Sequence, residues 1–247
     1  MRPITASQLL QVWEQGMNRP PVQQALLLLA AALPDLPLAA LAELSIGRRD
    51  AHLLALREQL FGPQLESVVA CPVCRQKLEF TCKTTDIQAQ EAAESGELFT
   101  WRNEDYEAHF RLPNSLDITA VIPQARPPGD EVAEVQWQLL ARCLTSITRQ
   151  NEAITADQLP PAIIEAIVDC MAQADPQADV QLALACAACG HQWSAPFDIV
   201  AFLWAEINAW ALRTLQEVHR LASAYSWREA DILGMSAWRR QFYLRNG

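Results

Sequence analysis

Lysine is nearly missing from this sequence: Lys77 and Lys83 are the only two, and arginine supplies the rest of the basic charge. Basic residues of both kinds number 19 against 29 acidic ones, a formal net charge of -10. A field of that sign repels nucleic-acid phosphates and anionic lipid, so neither is an expected partner. An arginine-rich basic set suits bidentate contacts with protein carboxylates. Long apolar runs are missing as well. The most apolar stretch, Ala25 to Leu44, is broken by Pro34, Asp35 and Pro37, whereas a membrane helix needs roughly 20 nearly unbroken apolar residues. It reads as two buried helices. The start, Met1-Arg2-Pro3-Ile4-Thr5, has no apolar stretch or small-residue cleavage pattern of a secretory signal, so the expected location is the cytoplasm. No glycine-rich phosphate loop, HExxH helix or GxSxG elbow is present, which removes the usual sequence grounds for an enzyme.

What is present is a folding composition and a patterned set of thiols. Apolar residues make up 51% and charged residues 19% of 247, enough for one composite core or two small units. Seven cysteines in a reducing compartment point to metal binding or buried thiols rather than disulfides. Cys71-Pro72-Val73-Cys74 and Cys186-Ala187-Ala188-Cys189 are CxxC knuckles, a spacing that lets both thiolates of a pair reach one tetrahedral zinc at about 2.3 Å. Gly190 permits the tight turn after the second knuckle. Four thiolates close the coordination sphere and leave no position for water or substrate, so the expected Zn2+, one per chain, is structural.

The 111 residues between the knuckles far exceed the roughly 15 to 20 of a compact zinc ribbon. An inserted helical subdomain accounts for this, because loop-closure cost rises only logarithmically with length. Two unrelated CxxC pairs with ordinary thiols are the plain alternative. Cys143 and Cys170 fall on expected helix interiors and Cys82 on an alternating strand face, so all three read as core residues; His191 reads as a flanking residue of the site. A thioredoxin-like redox pair needs its first thiol at a helix N-terminus, and the residues after Cys74 alternate like a strand.

Periodicity gives an α+β, mostly helical fold: a zinc-ribbon-like small sheet interrupted by a helical insertion, with N-terminal helices and a long C-terminal helix followed by short ones. The boundaries are an N-terminal helical region at 1–62, the first half of the ribbon at 63–112, the helical insertion at 113–177, the second half of the ribbon at 178–197 and a C-terminal helical region at 198–247. Strands are expected around Leu78-Phe80-Cys82, Tyr106-Ala108-Phe110, Val180-Leu182-Leu184 and Trp193-Ala195-Phe197. In the insertion, Val135, Leu139, Leu140 and Leu144 form one helical stripe and Ile163, Ile164, Ile167, Val168 and Met171 another, with Pro123, Pro127 and Pro128 between elements. The long helix from about Asp198 to Ala224 should bury Val200, Leu203, Ile207, Trp210, Leu215, Val218 and Leu221. Ser226 to Glu229 has capping-box spacing and should open a short helix ending near Gly234.

Aromatic residues crowd the last quarter. Trp193 and Trp210 read as core, whereas Trp227 and Trp238 stand beside Arg228, Arg239 and Arg240, the mixture that protein interfaces favour. The arginines also fit a weak helix-turn-helix reading or a solvated helix end.

Several stretches together resemble the T-even phage baseplate hub-assembly family, whose relatives also occur in phage-tail-like contractile injection systems. They are Ile46-Gly47-Arg48-Arg49-Asp50, Leu60-Phe61-Gly62, the first knuckle, Phe110-Arg111-Leu112-Pro113, and the second knuckle running into Gly190-His191-Gln192-Trp193 and Phe197-Asp198-Ile199. The tail adds Val218-His219-Arg220-Leu221-Ala222, Tyr225-Ser226-Trp227, Ile232-Leu233, Arg239-Arg240 and Tyr243-Leu244. The likeness spans residues 45 to 247 and is densest in the last quarter. It implies a non-enzymatic assembly factor or minor component of a contractile-tail baseplate or hub, with other baseplate or hub proteins as partners. The family lends no catalytic residues, and the metal rests on the cysteine pattern alone. The competing functions are a nucleic-acid-associated zinc ribbon and, third, a thiol oxidoreductase.

Overall fold

The computed structural model describes residues 1–89, 97–121 and 131–246, and divides into two compact units. Both chain ends, residues 1–36 and 199–247, build the first; residues 37–198 build the second.

The first unit is helical. Helix α1 (Ala6–Gly16) opens with a capping box in which the Gln8 amide donates to Thr5 Oγ1 and the Thr5 amide donates back to Gln8 Oε1. Helix α2 (Pro21–Ala32) buries Ala25, Leu28, Leu29 and Ala32 completely. Both pack on the long helix α9 (Ile199–Tyr225), 27 residues and so roughly 40 Å long. Its buried seam is Val200, Leu203, Ile207, Ala211, Thr214, Val218 and Leu221. Trp210 and Leu215, expected in that seam, are only half-buried, because the smaller Ala211 and Thr214 occupy the inward positions. Trp13 Nε1 donates to Asn208 Oδ1 at 2.9 Å, and Gly16 lies so close to the Trp204 ring that a Cβ would fall 2.3 Å from it.

Helix α9 ends at Tyr225, and the next residue, Ser226, sits at φ +55. The expected capping box is therefore not made: the residue reverses the chain, and helix α10 (Glu229–Leu233) starts after Arg228 with no side-chain cap. It stops at Gly234 as the pattern suggested. Helix α11 (Ala237–Asn246) then folds back on α9.

The second unit contains α3 (Leu38–Ala42), α4 (Ile46–Phe61) and three antiparallel sheets among the described residues. One is the hairpin β1 (Gln64–Ala70) and β2 (Lys77–Lys83), followed by the one-turn helix α5 (Thr84–Ile87). The largest is β3 (Phe99–Arg102), β4 (Tyr106–Phe110), β5 (Leu144–Arg149) and β6 (Glu152–Ala153), in that spatial order. The third is the hairpin β7 (Gln181–Ala185) and β8 (Gln192–Pro196). The two ribbon halves are thus separate two-stranded ladders. Helices α6 (Ser115–Val121), α7 (Glu131–Cys143) and α8 (Pro161–Ala174) occupy the intervening chain. Leu144, read as the end of a helical stripe, begins β5 instead; the run it opens carries the β-branched Thr145, Ile147 and Thr148 and pairs with β4. Pro123, Pro127 and Pro128 lie outside the described residues.

A core of Ala108, Phe110, Leu140, Ile147, Leu159 and Ile167 joins the four-stranded sheet to α7 and α8, with Trp101, Trp137 and Cys170 packed against it. Cys143 is wholly buried, and that burial pushes its thiol up to about 12.

Two of the sequence stretches singled out above meet here. Gly47 opens α4, and its amide donates to Asp175 Oδ2 at 2.9 Å; a Cβ on Gly47 would fall 2.0 Å from Asp175 Oδ1. Only glycine admits that approach. The neighbouring Ser45 bridges to Asn114, and the Ile46 amide donates to Pro113 O. After Pro113, Asp117 is buried and accepts from Arg111 NH1 at 2.5 Å, Arg111 NH2 at 2.8 Å and Arg142 Nε at 3.1 Å. Burial alone would raise this carboxyl, but Arg111 and the Asn114 amide hold it below its ordinary range. The buried Asp117 thus joins α6 to Arg111 after β4 and to Arg142 at the end of α7, whose side chains remain partly exposed.

Candidate metal centre

The two hairpin loops are built alike. Residues 71–76 connect β1 to β2 between the paired Ala70 and Lys77, and residues 186–191 connect β7 to β8 between Ala185 and Gln192. In the first, the Cys71 amide donates to Gln76 O at 2.9 Å and the Arg75 amide to Cys71 O at 2.9 Å. In the second, the Cys186 amide donates to His191 O at 2.8 Å and the Gly190 amide to Cys186 O at 2.8 Å. Both loops turn through a left-handed residue at the fifth position, Arg75 at φ +60 and Gly190 at φ +71.

This geometry aims two pairs of thiols at one point. The Sγ atoms of Cys71, Cys74, Cys186 and Cys189 all lie within 4.8 Å of one another. Two approaches run between the loops: Cys71 to Cys189 at 3.7 Å and Cys74 to Cys186 at 3.6 Å. A tetrahedral zinc with bonds of about 2.3 Å has sulfur–sulfur edges of about 3.8 Å, so the cluster has the size that ion requires. Cys71 and Cys186 are buried while Cys74 and Cys189 face solvent.

The electrostatics fit a site for a cation. Burial would raise the Cys71 thiol, but the amides of Cys74 and Val73 and the adjoining thiols bring it down to about 7. The Cys189 amide, working against burial, lowers Cys186 likewise. Cys189 goes the other way: the His191 amide favours its thiolate, yet desolvation and three neighbouring sulfurs push it up to about 12. Four thiolates this close repel one another unless a positive ion replaces their protons. His191 stacks on Trp193 with centroids 5.7 Å apart and contributes no atom to the cluster. Cys82 and Cys170 lie outside it, half-buried.

A family model described as T4 bacteriophage base plate protein matches residues 9–204. The chain belongs to that family. No curated protein and no solved structure matches it. The base plate match takes in both knuckles and the joints at Gly47 and Arg111, and it starts within α1. The weight of the resemblance is therefore redistributed: the N-terminal helices, which added little to it on sequence reading, fall largely inside the match, and the tail stretches after residue 204 fall beyond it. Among the described residues no helix is long and apolar enough to cross a membrane.

The C-terminal aromatic and arginine residues divide by environment. Arg228, Trp238 and Arg239 are exposed, Trp227 is half-buried, and Arg240 is 4% exposed. Arg240 Nε donates to Glu217 Oε2 at 3.0 Å and its NH1 to Met235 O at 2.8 Å. Its guanidinium is spent on fixing α11 to α9, which the sequence pattern of paired arginines did not distinguish from a surface role.

Proposed function

We propose that this base plate family protein is a non-enzymatic structural or assembly component of the baseplate or hub of a contractile tail, in a phage or a phage-tail-like injection system. The match across residues 9–204 carries the reading. In it, Cys71, Cys74, Cys186 and Cys189 hold one structural Zn2+ that staples the β1–β2 and β7–β8 hairpins together. Thiol approaches of 3.6 and 3.7 Å cross from one knuckle to the other, which supports a shared tetrahedral ion over a redox pair confined to one CxxC. The knuckle after Cys71 leads into β2 rather than a helix, which favours the structural reading over a thioredoxin-like pair, whose first thiol sits at a helix N-terminus. The acidic balance of the chain weighs against the zinc-ribbon reading with nucleic acid.

The partners are other baseplate or hub proteins, met in the bacterial cytoplasm during assembly. The face offered to them is the C-terminal end bearing Trp227, Arg228, Trp238 and Arg239, with Arg240 holding it in place. Two measurements test the reading. Elemental analysis of anaerobically purified protein should give about one zinc per chain, the stoichiometry of a closed four-thiolate site. Removing the gene from a producing cell should yield particles arrested before baseplate completion; normal particles from such cells would overturn the assembly role, and zinc-free folded protein would overturn the metal.

A further inference from the structure

Five aromatic rings run in continuous contact through the end of the helical unit. Trp238 stacks on Phe242 at 6.0 Å, Phe242 meets Tyr243 edge-on at 5.8 Å, Tyr243 meets Trp227 at 5.0 Å, and Trp227 stacks on Tyr225 at 4.5 Å. The row begins in solvent: Trp238 is 77% exposed and Phe242 51%. Trp238, Phe242 and Arg245 fall at helical spacing on one face of α11. That helix holds three arginines and no acidic residue, in a chain where acids outnumber bases 29 to 19. Arg240 has its carboxylate in Glu217. Arg239 and Arg245, and Arg228 beside Trp227, pair with no carboxylate among the described residues.

We infer that the Trp238–Phe242 face of α11 docks an acidic segment of a partner protein, one that sets an apolar side chain against the two rings and offers carboxylates to Arg239 and Arg245. Charge complementarity selects this occupant. The rings supply the anchor area, since an exposed Trp–Phe pair gains most by desolvation. The guanidiniums supply the selection, forming bidentate pairs with carboxylates that this chain does not provide. A nucleic-acid strand also stacks on aromatics and pairs with arginine, but it would bring a continuous phosphate charge onto a molecule of net charge -10. A short acidic segment brings only a few charges, and those of the remaining surface are screened beyond about 8 to 10 Å. The inference rests on the baseplate reading for where the partner is found, and on the α11 geometry for what it looks like.

The test places a photoreactive phenylalanine analogue at position 238 in cells making the complete set of tail proteins, and maps the cross-linked peptide. The expected product joins this chain to one tail protein at a segment carrying carboxylates beside an apolar residue. In the chain with both Arg239→Glu and Arg245→Glu, capture should fall about tenfold or more, the scale of losing paired interface charges. Exchanging the mapped carboxylates for lysine should restore it. Cross-links to nucleic acid, to a second copy of this chain or to an uncharged segment would overturn the inference. So would capture indifferent to the double charge reversal, or no cross-link at all. Circular dichroism of the reversed variant guards against misfolding, and Arg239→Gln with Arg245→Gln gives a milder version with the same predicted direction. A cross-link to a non-acidic site on a tail protein would sink this inference and leave the assembly role standing. An acidic site on a protein foreign to the tail would do the reverse.

Discussion

The two hairpins that carry the cysteines and the helical unit that carries the aromatic row hold themselves together by opposite means. Along β1 and β2 only Leu65 is buried, and in β7 and β8 the exposure merely alternates between open and half-covered. An isolated two-stranded hairpin is marginal in water at best, so on the proposed function these two depend on the zinc tie at their tips. The helical unit buries a continuous apolar seam along α9 against α1 and α2 and needs no tie. Under the proposed tie, four thiols keep a poorly covered sheet in a defined shape, while large aromatics stay exposed where packed helices already supply rigidity.

Breaking the tie should separate the two regions most sharply. A structural zinc of this type contributes on the order of 10–16 kcal/mol of binding free energy, most of it realised as folding. In Cys189→Ser, zinc content should drop to near zero, and hydrogen exchange should become fast across residues 64–83 and 181–196 while α9 stays protected. Uniform loss of protection in both regions, or unchanged exchange in the hairpins, would contradict the comparison. Chelation of the wild-type protein should reproduce the same pattern.

The reverse perturbation acts on the helical unit alone. Arg240→Ala leaves Glu217 with its Gln241 partner but without its cation, and breaking a buried ion pair costs about 3–5 kcal/mol, towards the low end here because the Glu217 side chain is 20% exposed. We expect a loss of about 3 kcal/mol in chemical denaturation of α9 and α11, with zinc content unaltered. A variant as stable as wild type would return Arg240 to the list of free surface arginines.

The same contrast explains what could be read from sequence. The cysteine knuckles were legible because their chemistry fixes the spacing, and four thiols separated by 112 positions at the closer pair still converge. The helices of the packed unit were legible because burial imposes a period. Polar joints were not: nothing in the spacing of Gly47 and Asp175, or of Arg240 and Glu217, distinguishes an internal bond from a solvated charge. Leu144 and Ser226 depart from their local pattern for a related reason, since pairing with β4 and the left-handed reversal after α9 override it.

One such joint offers a test outside either extreme. Gly47→Ala drives a methyl against Asp175, and overpacking of this kind costs about 1–3 kcal/mol. Asp175 is itself held above the ordinary carboxyl range, chiefly by burial, with one oxygen lacking a hydrogen-bond partner. An acid whose folded pKa is raised favours folding most when protonated. Its contribution is therefore full below the unfolded value and falls as pH rises through the folded one. Asp175→Asn keeps an acceptor for the Gly47 amide and removes that loss. Melting temperature should rise at pH 7 relative to wild type, and the gain should vanish towards pH 4, near the unfolded carboxyl pKa. A gain equal at both pH values would assign the effect to packing instead.

The smallest expected effect compares the two knuckles with each other. They share loop length, the same two backbone hydrogen bonds and the same left-handed fifth residue, yet that residue is Gly190 in one and Arg75 in the other. A residue with a Cβ in the left-handed region is strained by about 1–2 kcal/mol, which glycine avoids. Glycine also loses more backbone entropy on folding, offsetting part of the gain. Arg75→Gly should therefore stabilise the metal-bound protein by about 0.5–1 kcal/mol. Because the benefit exists only while the loop holds its knuckle shape, it should disappear in chelated protein. Gly190→Arg should cost a similar amount under metal and nothing without it. Equal shifts with and without zinc would mean that the hairpin loops keep their turns unaided, and that the thiol tie is less necessary to them than their thin burial indicates.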